Sequence, residues 1–213
     1  MHPHVHNTVR TPAPGDPGVE GNRRLTALTG VAQLGVLVLV VLSGLVFGDF
    51  PALHYFLGYA AIPLTLLKLA STGWRFLNYY AVRRRTYRTA GPPRPLPRLL
   101  APLLVASTLA AFVTGVVLFF QGQRRGTVAT LHTDSAAIFV VAALLHVAVH
   151  ARTAYTATLA DLPRSALAHA LRGGTWRRSL VIAAGVAGVV VAVALVAGYH
   201  WTLAPEHLRF REE

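Results

Sequence analysis

Long apolar stretches separated by short basic connections set the pattern of this chain. Residues 25–47, 54–77, 99–121, 131–151 and 179–201 are each apolar over a length that suits a bilayer crossing, which takes about 20 residues of helix. Together they take up most of the 213 residues, which leaves no room for a separate soluble domain. The pattern predicts an all-α integral membrane protein of five transmembrane helices, the first four forming a four-helix bundle. Residues 25–201 are the membrane domain in this reading, and residues 202–213 are a short extracytoplasmic tail. Residues 1–24 are rich in Pro and Gly and have no apolar core, so they are expected to form a disordered cytoplasmic tail and not a cleaved signal peptide. Residues 161–174 have a Pro start and a Gly stop, the marks of a short interfacial helix.

Composition agrees and adds an orientation. Hydrophobic residues make up 54% of the chain, charged residues only 13%, and the mean hydropathy is +0.48, whereas a soluble domain carries roughly 25% charge. The excess of base, 20 Lys plus Arg against 8 acids, raises the question of nucleic acid. The placement of the arginines answers it. With the N-terminus inside, 15 of the 19 arginines fall on cytoplasmic segments, leaving Arg124, Arg125, Arg209 and Arg211 outside. The positive-inside rule then gives a multi-pass protein of the cell membrane, N-in and C-out. The cluster RRRTYR at residues 83–88 reads as a topology signal facing anionic lipid, with no nucleic-acid role. Cysteine is absent, which removes disulfides, iron–sulfur ligation and covalent haem attachment. The single methionine is Met1, so no thioether ligand lies within the membrane.

Histidines supply the candidate chemistry. The fourth span, LHTDSAAIFVVAALLHVAVH, carries His132, His146 and His150. His132 and His146 are 14 residues apart, which at about 100° and 1.5 Å per residue puts them on one face and about 21 Å apart along the axis. The second and fourth helices run in parallel, and His54 opens the second as His132 opens the fourth. Those two share an outer level. At the inner level stands His146, and the residue 14 places after His54 is Lys68, the only lysine. Small residues repeat the two levels: Gly44 and Gly30 in the first helix, Gly115 and Ala101 in the third, each pair 14 apart. Two side chains and two gaps per level suit a haem clamped edge-on between four helices, with the glycines letting a planar group approach the backbone. His54, His132 and His146 are therefore the candidate metal ligands. His150 is a propionate or headgroup neighbour and the alternative to His146. Lys68 either snorkels to the headgroups, pairs with a propionate or quinone oxygen, or ligates directly. Asp134 orients an imidazole, takes a quinone proton or is an ordinary helix-start acid. Phe119, Phe120 and Phe139 are candidate apolar walls.

At these residues the chain resembles a known family. LHYFLGYAAIPLTLLKL at residues 53–69, FVTGVVLFFQ at 112–121 and the His132-x13-His146 spacing are similar to segments of the cytochrome b-like membrane portion attached to actinobacterial molybdopterin-dependent oxidoreductases. The likeness covers residues 25–152. It implies a b-type cytochrome with one haem b or two, passing electrons between the quinone pool and an oxidoreductase centre. No molybdopterin domain follows, so the catalytic partner is expected to be a separate extracytoplasmic or membrane subunit. The inner level has no second histidine on a facing helix, which makes the outer haem the firmer expectation.

Three classes of function fit these residues: an electron-transfer cytochrome, a transporter or metal-handling protein using the membrane histidines with HPHVH (His2, His4, His6), and a cofactor-free membrane anchor subunit. His169, His200 and His207 read as surface residues.

Overall fold

The computed structural model describes residues 17–46, 51–89, 95–122, 125–159 and 174–198. HPHVH, most of the expected interfacial helix with His169, and the C-terminal tail with His200 and His207 lie outside the described residues. Six helices carry the rest: α1 (Pro17–Val46), α2 (Pro51–Tyr80), the short α3 (Arg85–Thr89), α4 (Pro95–Gln121), α5 (Thr127–Leu159) and α6 (Gly174–Gly198). No strand occurs among the described residues. Five of the helices are long and apolar enough to cross a membrane. The protein is thus an all-α, multi-pass membrane protein.

Each long helix begins before the apolar stretch that announces it, and α2 and α5 also end beyond theirs. α1 starts at Pro17, so residues 17–24, expected in the tail, are helical. The local reasons are readable. Proline suits a first helical position because its missing N–H is one the helix start leaves unpaired. Glu20 sits in the first turn and pairs with Arg23 at 2.8 Å and Arg24 at 2.7 Å. Asn22 then donates to the Ser71 carbonyl of α2 at 3.0 Å.

Polar side chains join α1 to α2 along their length. Thr26 donates to Ser71 Oγ at 3.0 Å, and Gln33 donates to Thr65 at 3.0 Å. In hydrocarbon the apolar side chains have no reason to prefer protein to lipid, so hydrogen bonds and close packing of small residues do the joining. α1 packs on α2 and α5, α4 packs on α5, and α2 also meets α4, so these four helices close a ring. α1 and α4 run one way and α2 and α5 the other. α2 and α5 are diagonal in that ring.

α6 stands outside the ring against α2. Gly188 is buried at the crossing, where a Cβ would run into the Ala60 backbone. Ala192, Ala60, Tyr59 and Phe119 form the buried cluster beside it. Lipid-facing surfaces are apolar: Leu45, Val141, Leu144, Ile182 and Val190 are all exposed.

Candidate functional site: two levels in the helix bundle

His54 on α2 and His132 on α5 reach towards each other from diagonal helices. Their ring centroids are 6.1 Å apart, with the planes at 84°. Both are half-buried. Each ring is cupped by the helix that precedes its own. His54 Nδ1 lies 3.1 Å from the Val40 carbonyl oxygen and 3.1 Å from Ser43 Oγ on α1. His132 Nδ1 lies 2.9 Å from the Ala111 carbonyl oxygen and 3.2 Å from Thr114 Oγ1 on α4. A carbonyl oxygen only accepts, so Nδ1 carries the proton in both rings and Nε2 keeps its lone pair.

Glycines complete the cups. A Cβ on Gly44 would lie 3.2 Å from His54 Cε1, and one on Gly115 would lie 3.1 Å from His132 Cε1. The gaps read from the sequence as room for a planar group are taken by the imidazole edges. The two cups follow one pattern: a carbonyl acceptor at position i, a hydroxyl at i+3 and a glycine at i+4. Val40, Ser43 and Gly44 make it on α1, and Ala111, Thr114 and Gly115 make it on α4. The hairpin α1–α2 is repeated by the hairpin α4–α5.

A further level lies along each helix, at the interval that separates His132 from His146. Lys68 Nζ donates to the Thr26 carbonyl at 2.6 Å, and a Cβ on Gly30 would lie 2.6 Å from Nζ. Thr26, Thr29 and Gly30 precede Val40, Ser43 and Gly44 by that same interval. Lys68 therefore occupies on α1 the same cup that His54 occupies above it. On α5 the corresponding residue is His146, whose Nδ1 is buried with no hydrogen-bond partner among the described residues. His146 packs beside His150, ring centroids 4.5 Å apart. On α4, Leu100 and Ala101 hold the places of Thr114 and Gly115, so no hydroxyl is offered to it.

The remaining candidates are placed as follows. Asp134 is exposed, and His132 Nδ1 is oriented by α4 instead. Phe119 is fully buried, 5.0 Å from each of the Tyr55 and Tyr59 rings, in the cluster where α6 packs on α2. Phe120 is exposed and Phe139 half-buried. Ser43 and Thr114 were missed by reasoning on histidine spacing. Their signal was present as LTGV, LSGL and VTGV at residues 28–31, 42–45 and 113–116, each a hydroxyl followed by glycine.

Two imidazoles bound to opposite faces of one metal ion, with nitrogens about 2 Å from it, have ring centres about 6 Å apart. The observed 6.1 Å is of that size, and it is also the separation of an ordinary edge-to-face ring contact. No group of three His, Cys, Asp or Glu side chains with metal-binding geometry occurs among the described residues. A haem needs only two protein donors, since its ring supplies the other four. No family model, curated protein or solved structure matches the chain.

Proposed function

We propose that the protein is a b-type cytochrome of the cell membrane, oriented N-in and C-out, that moves electrons between the quinone pool and a separate oxidoreductase subunit. His54 and His132 would hold its haem, on the extracytoplasmic side. The observation that carries the reading is their matched anchoring. Both Nδ1 protons are committed to backbone carbonyls, which presents both Nε2 lone pairs for metal binding.

When bound, a haem would supply one-electron redox chemistry. The residues of this chain do the rest. Val40 and Ala111 fix the tautomer, Ser43 and Thr114 add a second acceptor to each Nδ1 proton, and Gly44 and Gly115 admit the rings.

The test is a pyridine haemochrome assay with absorption spectra on the purified chain, with His54→Ala and His132→Ala beside it. The expected result is low-spin b-type haem in the parent and at least a tenfold loss of that centre in either variant. A colourless parent, or spectra unchanged in both variants, overturns the reading.

A further inference from the structure

Lys68 sits where a histidine would complete a second ligand pair. It follows His54 at the interval by which its partner His146 follows His132. Its cup of Thr26 carbonyl, Thr29 and Gly30 precedes the cup of His54 by that interval too. α2 and α5 bring His54 and His132 together, so the residues one such interval further along each helix, Lys68 and His146, share a level. The ammonium ends on a carbonyl of α1, inside the helix pair. His146 contributes the second observation: a buried ring nitrogen with no hydrogen-bond partner among the described residues, which leaves the imidazole available to a bound group.

We propose that Lys68 and His146 are the axial ligands of a second haem, so that the two levels of the bundle carry unlike centres, His–His at one and Lys–His at the other. The proposal rests on the cytochrome reading and adds the ligand set of its other level. The reach is adequate, since the flexible four-carbon stem of lysine can carry its nitrogen farther from the backbone than Nε2 of histidine lies. On ligation the ammonium gives up one proton to solvent and its lone pair goes to the iron. One of the two remaining N–H bonds still serves the Thr26 carbonyl, as the Nδ1 proton of His54 serves that of Val40. No electron moves in this step. Gly30 is required for the same reason as Gly44, because the donor passes directly over the backbone there.

Haem-to-protein stoichiometry, with near-infrared magnetic circular dichroism of the oxidised protein, tests the assignment. That spectrum separates amine–imidazole from bis-imidazole ligation without reference to turnover. The parent should bind two haems per chain, one of each type. Lys68→Leu, which removes the donor without offering the thioether of methionine, should lose the amine–imidazole signal and either drop to one haem or show a high-spin centre. Lys68→His should keep two haems and convert the spectrum to bis-imidazole alone. The His54–His132 signal in each variant reports that the bundle has folded. One haem in the parent, or an amine–imidazole signal that survives Lys68→Leu, overturns the Lys68 proposal and leaves the cytochrome reading standing. No haem at all overturns both.

Discussion

Individual residues decide this site by what they leave out as much as by what they supply. Gly44 and Gly115 have no Cβ, and one placed there would press within 3.2 and 3.1 Å of the facing histidine rings. A larger side chain must displace the ring from its carbonyl anchor. Gly44→Val and Gly115→Val are therefore expected to weaken haem retention by about 10–100-fold, the range seen when groups that orient metal ligands are lost. Ser43→Ala and Thr114→Ala leave the carbonyl in place, so each should cost about 0.5–1.5 kcal/mol and tenfold or less in retention. Gly58→Ala is the control, because nothing lies within 4 Å of a Cβ there. Haem-to-protein ratios after dilution into detergent check all five. Equal loss in Gly58→Ala and Gly44→Val would mean that the cups have no part in holding the ligands.

Helix existence was legible in the sequence, and helix pairing was not. Apolar length alone gives the five spans, because a bilayer crossing needs a fixed run of helix whatever its neighbours. The starts were less visible: α1 begins at Pro17 through an ion-paired first turn that hydropathy does not register. Histidine spacing placed His54, His132 and His146 on their faces, since the helical repeat fixes angle and rise. It did not show what would touch the rings. That depended on how α1 rotates against α2, which Gln33, Thr26 and Ser71 settle through side-chain hydrogen bonds between helices. The packing of α6 on α2 was likewise hidden, because lipid-facing and helix-facing surfaces are equally apolar. Its key residue is Gly188 at the Ala60 backbone. Gly188→Leu is expected to push α6 away and cost about 1–3 kcal/mol, as overpacking does. Gly185→Leu, one turn away with open space around it, should be silent. Thermal unfolding in detergent distinguishes them, and a matching midpoint for the two variants would place α6 elsewhere.

At the scale of the molecule, charge sets the direction of everything built on the helices. The split of 15 arginines to 4 predicts that Arg88 lies in the cytoplasm and Glu213 outside it. Fusions of a cytoplasm-active and a periplasm-active reporter at those two positions should give opposite signals. A cytoplasmic Glu213 beside a cytoplasmic Arg88 would mean that one of the three helices between them does not cross, and a cytoplasmic Glu213 together with an external Arg88 would turn the whole bundle over.

The repeated cup also bears on how little the protein has to move. An iron between His54 and His132 would be gripped from two sides by rings of the same kind, each tied to its own helix by the same carbonyl and hydroxyl. Neither bond can lengthen without straining an anchor that has an equal on the far side. Such a coordination shell would be stiff and balanced, with a geometry that hardly differs between the two charge states of the metal. The reorganisation energy of electron exchange would then be small, a property written into the backbone positions of Val40 and Ala111 and independent of which partner delivers the charge.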